Sequence, residues 1–159
     1  MGAKGEALAK EFDAKVQDAT AVLEKLSDAD WRKTTTGEKW TVGVTAHHVA
    51  ESYEPITHII KTIAAGQALP HFTSQMLDEM NAQHSKEFGG CGKAETIALF
   101  KKGAAAASAA VRGLSDQELA KSGQVFAGMP PMSAEDMVKR ALFEHLDEHV
   151  GSIRRTIAS

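Results

Sequence analysis

Apolar residues return every three or four positions along most of this chain and almost nowhere alternate with polar ones, so the pattern predicts helices rather than half-buried strands. Leu8, Phe12, Val16, Ala19, Leu23 and Leu26 make one such stripe, predicting a first helix from about Gly5 to Leu26 that Ser27 and Asp28 end. Residues 30–40 are polar with a tryptophan at either end and read as a loop. Thr41 then suits the N-cap of a second helix, which reaches about Ala65, stops at Gly66 and carries Pro55 as an expected kink. A shorter helix from Ser74 to about Phe88 ends at the Gly89-Gly90-Cys91-Gly92 turn. The next runs from near Ala94 to Arg112 with Ile97, Phe100, Ala104, Ala107 and Val111 on its apolar face and Gly113 as C-cap. Leu114 to Met132, rich in Gly and Pro, reads as a connection. Ser133, with Asp136 three residues later, starts the last helix.

Four long helices and one short one predict an all-α protein, a four-helix bundle in which each stripe is buried against the others. The length of 159 residues suits one domain over 1–159. Net charge is −3, and no Lys/Arg block is long enough for a nucleic-acid footprint, so DNA and RNA are excluded as expected partners. No apolar run approaches a membrane span and no export signal is recognisable, which gives a cytoplasmic expectation. Cys91 is the single cysteine and can form no internal disulfide. Its glycine turn, followed by Lys93, lacks the spacing and the Ser/Thr of a phosphate loop.

The chemistry in this pattern lies in the histidines. His145 and His149 are four residues apart on the last helix, about 6 Å along the axis and about 40° in rotation. With His145 at 0° on a helical wheel, Val138 and Leu142 fall near 20° and 60°, so both rings lie in the apolar sector. On the second helix His48 likewise shares a face with Val44, Ile59 and Ile63. His47 falls about 100° away, on a flank with Glu51 and His58. One histidine on an apolar face is more often a hydrogen-bonded core residue than a ligand. Three are harder to accommodate that way, because buried imidazoles need partners and neutral imidazole is the commonest transition-metal ligand. The zinc-protease motif is excluded, since Leu146 stands where its glutamate must follow the first histidine.

Two segments carry a family resemblance. Trp40-Thr41-Val42-Gly43-Val44-Thr45-Ala46-His47-His48-Val49 resembles the second-helix pattern of the DinB-like superfamily, which includes YfiT-like proteins and relatives of mycothiol-dependent maleylpyruvate isomerase. His145-Leu146-Asp147-Glu148-His149 resembles that superfamily's C-terminal H-x-x-x-H, and Leu77 to Ala82 resembles the short connecting helix of some members. The resemblance implies metal ligation by His48, His145 and His149, with His47 out of register. It also implies zinc or nickel, an open coordination position, and a homodimer.

The resemblance further implies a low-molecular-weight thiol as cofactor and a small electrophilic substrate, in a transferase, isomerase or hydrolase reaction. The alternative is a non-catalytic, stress-related metal-binding bundle. Glu51, one turn beyond His48, is the candidate catalytic carboxylate, either behind a ligand ring or as general base. Asn81, Asp78 and His84 are expected at the mouth of the site if the short helix covers one end of the bundle. Glu144 and Glu148 read as solvated flank residues, and Trp31 and Trp40 as packing anchors.

Overall fold

A computed structural model describes residues 2–158. Helix α1 (Ala3–Glu24) is followed by a single-turn α2 (Asp28–Arg32), then by α3 (Val42–Ala64), α4 (Ser74–Glu87) and α5 (Lys93–Arg112). A short α6 (Asp116–Ala120) leads to β1 (Ser122–Gly123), which pairs antiparallel with β2 (Met132–Ser133). The last rod comprises α7 (Ala134–Met137), a π-helical segment (Val138–Glu144) and α8 (His145–Ala158). The architecture is the expected four-helix bundle. Helix α1 packs on α5 and α8, and α3 packs on the same two, while α4 lies outside against α3 with no buried residue.

The stripes read from the sequence are the buried faces. Phe12, Tyr53, Phe100, Leu142 and Ile153 are each almost fully buried, with the Phe12 and Tyr53 rings edge to face at 5.7 Å. Alanines make α5 thin enough for close approach. A Cβ on Gly103 would stand 3.1 Å from the Tyr53 Cβ and 3.3 Å from the Ala50 carbonyl oxygen. Gly43 serves Trp31 the same way, since a Cβ there would stand 2.5 Å from the indole Nε1, which donates to the Cys91 carbonyl.

The structure corrects three local expectations. Ser27 does not merely end α1 but opens α2, in a capping box with Asp30. The end of α1 is satisfied instead by Lys93, whose ammonium donates to the Glu24 and Leu26 carbonyls. The connection after Leu114 contains α6, also begun by a capping box (Ser115, Glu118), and the two-residue ladder. The last helix does start at Ser133 with Asp136, but seven of its residues are π-helical. Helix α3 continues through Pro55, where the missing N–H leaves the Glu51 carbonyl without its helical partner, the local defect from which the expected kink would arise.

Candidate metal centre

Three elements bring the histidines together. The N-terminal half of α3 carries His48, capped by the Thr41 hydroxyl, which accepts from the Val44 N–H at 3.0 Å. His145 stands where the π-helical segment returns to α-geometry, its N–H directed to the Arg140 carbonyl five residues back. Such wider turns recur at functional sites because they shift the angular register of whatever follows. His149 lies one α-turn on.

The ring centroids stand 4.9 Å (His48–His145), 5.0 Å (His48–His149) and 4.5 Å (His145–His149) apart. One nitrogen from each ring lies within 4.8 Å of the others. The Nε2 atoms of His48 and His145 are 3.0 Å apart, and Trp40 packs edgewise on His48 at 5.2 Å. Burial, reinforced by its imidazole neighbours, pushes His48 down to about 3 and His145 to about 4. Both are therefore neutral at pH 7, the form that offers a lone pair to a metal.

The carboxylate behind the site is Glu38, which sequence reasoning missed. The loop that presents it is pinned by Thr35 N–H to the Trp40 carbonyl at 2.8 Å and by a bridge between Thr34 and Thr41, and it turns through Lys39 at φ 64°. One Glu38 oxygen lies 2.7 Å from His149 Nδ1, and the other accepts from the Ser152 hydroxyl at 2.6 Å. Burial opposes the charge, but these two hydrogen bonds hold the carboxyl below its ordinary range. Ionised Glu38 takes the proton on His149 Nδ1 as its donor, which leaves the Nε2 lone pair of the neutral ring free to ligate. The available signal was thin, namely that Glu38 is the one carboxylate between Trp31 and Trp40.

Glu51 is not behind His48 as expected. Its Oε2 lies 3.0 Å from His84 Nε2 and 3.6 Å from His47 Nδ1, and those two nitrogens are 2.8 Å apart. His47 is not on an open flank either. It is 8% exposed because α4 covers that side, stacking Phe88 on it at 4.1 Å and His84 at 5.0 Å. Burial lowers both His47 and His84.

Of the residues expected at the mouth, Asn81 and His84 line the cleft and the exposed Asp78 does not. His58, Glu144 and Glu148 are exposed. Trp31 is buried as an anchor, and burial raises the Cys91 thiol, which lies outside the cleft. The cleft itself, about 1250 Å³, has His48, His145, Glu51 and His84 at its polar end. Ile56, Ile59, Phe72 and Phe126 form its apolar wall, with the exposed Met76, Met80 and Met129 also lining it.

The model of the mycothiol maleylpyruvate isomerase N-terminal domain matches residues 12–146, a span that holds His48 and His145. The chain belongs to that family. Solved structures share the bundle. A crystal structure of the mycothiol-dependent maleylpyruvate isomerase superposes with a TM-score of 0.71 at 15% identity, over 94% of this chain and 59% of that one. A histidine-to-alanine mutant of the isomerase superposes with a TM-score of 0.73 at 14% identity, over the same shares of the two chains. YfiT from Bacillus subtilis, described as a probable metal-dependent hydrolase with an unusual four-helix bundle topology, gives 0.69 at 18% identity over 98% of this chain and 86% of its own. This family member thus spans 59% of the isomerase's length. No curated protein matches it by sequence. The DinB/YfiT-like resemblance carried by the two histidine motifs and the bundle it implied are both upheld.

Proposed function

We propose that this protein is a divalent-metal-dependent enzyme acting on small electrophilic molecules, with His48, His145 and His149 as ligands and a low-molecular-weight thiol or water as nucleophile. The observation that carries the reading is the convergence of three imidazoles, two of them lining a large cleft and the third held in its metal-ready tautomer by Glu38. The donor set fits zinc or nickel, since all-imidazole sites accept either. Three protein ligands leave a position for solvent or substrate, whereas a structural zinc site is closed by four. Among the described residues no fourth carboxylate or thiol joins the three-histidine group.

When bound, the metal supplies Lewis acidity that lowers the pKa of a thiol or water. The chain's residues supply the rest. Glu38 orients His149 and compensates the cation's charge. Glu51, half exposed and facing the cleft, is the group that takes the nucleophile's proton. The apolar wall excludes water from the substrate's body. Arg140, the one Lys or Arg side chain among the described residues lining the cleft, suits an anionic substituent. The relatives' descriptions, one a thiol-dependent isomerase and one a probable metal-dependent hydrolase, supply both nucleophiles as options. The reading includes one domain and a homodimer.

Elemental analysis of the purified protein beside a His145→Ala/His149→Ala variant tests it. The expected result is transition metal bound to wild type at this site and lost from the variant. Wild type that takes up no zinc or nickel even after soaking would make these histidines core residues and remove the enzyme reading. With metal present, isomerase and hydrolase assays with and without mycothiol, cysteine or glutathione separate the thiol route from the water route.

A further inference from the structure

A second set of ligand-type side chains, His47, Glu51 and His84, stands beside the three histidines and shares no ligand with them. His47 and Glu51 lie one turn apart on α3, and His84 reaches them from α4. Both imidazole side chains are nine-tenths buried, while Glu51 opens on the cleft. From these contacts we propose that His47, Glu51 and His84 form a second divalent transition-metal site, separate from the three-histidine site and opening on the same cleft.

Ligand atoms about 2.1 Å from one cation stand about 3.0 Å apart at right angles and about 3.4 Å apart in a tetrahedron. The three distances here are 2.8, 3.0 and 3.6 Å. A point about 2.1 Å from all three atoms exists, about 1 Å off their plane. The His47 and His84 nitrogens face each other nearly along the line of the ring centroids, 5.0 Å apart, so seating the ion takes a turn of both rings toward Glu51.

The rings are held by packing rather than by hydrogen bonds on their far sides. Phe88 stacks on His47 at 4.1 Å and on His84 at 4.9 Å, and His84 Nδ1 is buried without a partner. A single N–H proton cannot serve all three contacts at once, whereas a cation accepts a lone pair from each. Two histidines and one carboxylate are a ligand set used for catalytic zinc and for iron(II), with the remaining positions open. The His48 and His84 rings are 5.8 Å apart, so two cations would share the cleft's polar end. Occupation would recruit Glu51 as a ligand in place of its role as proton acceptor.

Metal counting separates this site from the one on which the proposed function rests. Metal-free protein is titrated with zinc and, in parallel, with cobalt(II), whose visible absorption reports each ligand set. Wild type, His84→Ala, Glu51→Gln and His145→Ala/His149→Ala are compared, with circular dichroism as the check on folding. His84 lies on α4, which packs on α3 outside the four bundle helices, so trimming its side chain leaves the bundle core unchanged.

The expected stoichiometry is two cations per wild-type chain, with one lost from His84→Ala, and Glu51→Gln weakening that same cation at least tenfold. The His145→Ala/His149→Ala chain keeps one cation, which carries the absorption that His84→Ala loses. Wild type saturating at one cation that the His145→Ala/His149→Ala chain loses, or His84→Ala retaining two, would overturn the second site and leave the three-histidine reading untouched. Loss of metal from neither variant would overturn both.

Discussion

Removing Glu38 tests whether the loop carboxylate, rather than any helix residue, makes the three-histidine cluster competent. In Glu38→Ala the His149 Nδ1 and the Ser152 hydroxyl lose charge-assisted partners at 2.7 and 2.6 Å, on a side chain that is 11% exposed. Each such bond contributes about 1.5–3 kcal/mol, and because both end on one carboxylate their loss is not additive. The metal-free protein should therefore lose about 2–4 kcal/mol in urea unfolding at pH 7.5. Without the acceptor His149 is free to take either tautomer, so zinc affinity, read by competition with a chelating dye, should fall about 10–100-fold. Glu38→Gln keeps the shape and one acceptor and should fall between the two. Ser152→Ala removes one hydrogen bond and should cost about 1 kcal/mol with a smaller effect on zinc. A Glu38→Ala protein with zinc affinity within about twofold of wild type would refute the reasoning, whatever its stability, because the loop would then be structural only.

Other outcomes follow from the same geometry. His48 and His145 titrate at about 3 and about 4 in the fold against 6.5 in the unfolded chain. The unfolded state thus binds more protons below pH 6.5, and the metal-free protein should lose stability as pH falls from about 6.5 toward 4, by up to about 1.4 kcal/mol per pH unit per ring. Urea midpoints across that range should show a slope that flattens in a His48→Gln/His145→Gln variant, and an equal slope in both proteins would contradict the assignment. Gly43→Ala drives a Cβ to 2.5 Å from the Trp31 indole and should cost about 1–3 kcal/mol despite alanine's higher helix propensity, visible as a lowered Tm. The Tyr53 hydroxyl is buried without a partner, so Tyr53→Phe should be stabilising by about 1 kcal/mol, and a clear loss instead would mean that the hydroxyl is satisfied by water.

What the sequence determined by itself are relations within one helix. The stripes of α1 and α5, the Thr41 and Ser133 caps and the shared face of His145 and His149 follow from backbone periodicity and local hydrogen bonding, which need no knowledge of neighbours. The pairing of His48 with that face was also legible, because apolar faces must meet in a bundle. Three things were decided only by tertiary structure. Glu38 reaches His149 because a loop folds back across the end of the bundle, and no periodicity gives a loop residue a direction. His47 is buried because α4 covers its flank; a wheel fixes an angle but not what packs there. The π-helical turn before His145 widens the backbone where Val138 and Leu142 fill the core, a choice made by packing over seven residues whose local propensities would equally have made an ordinary α-helix.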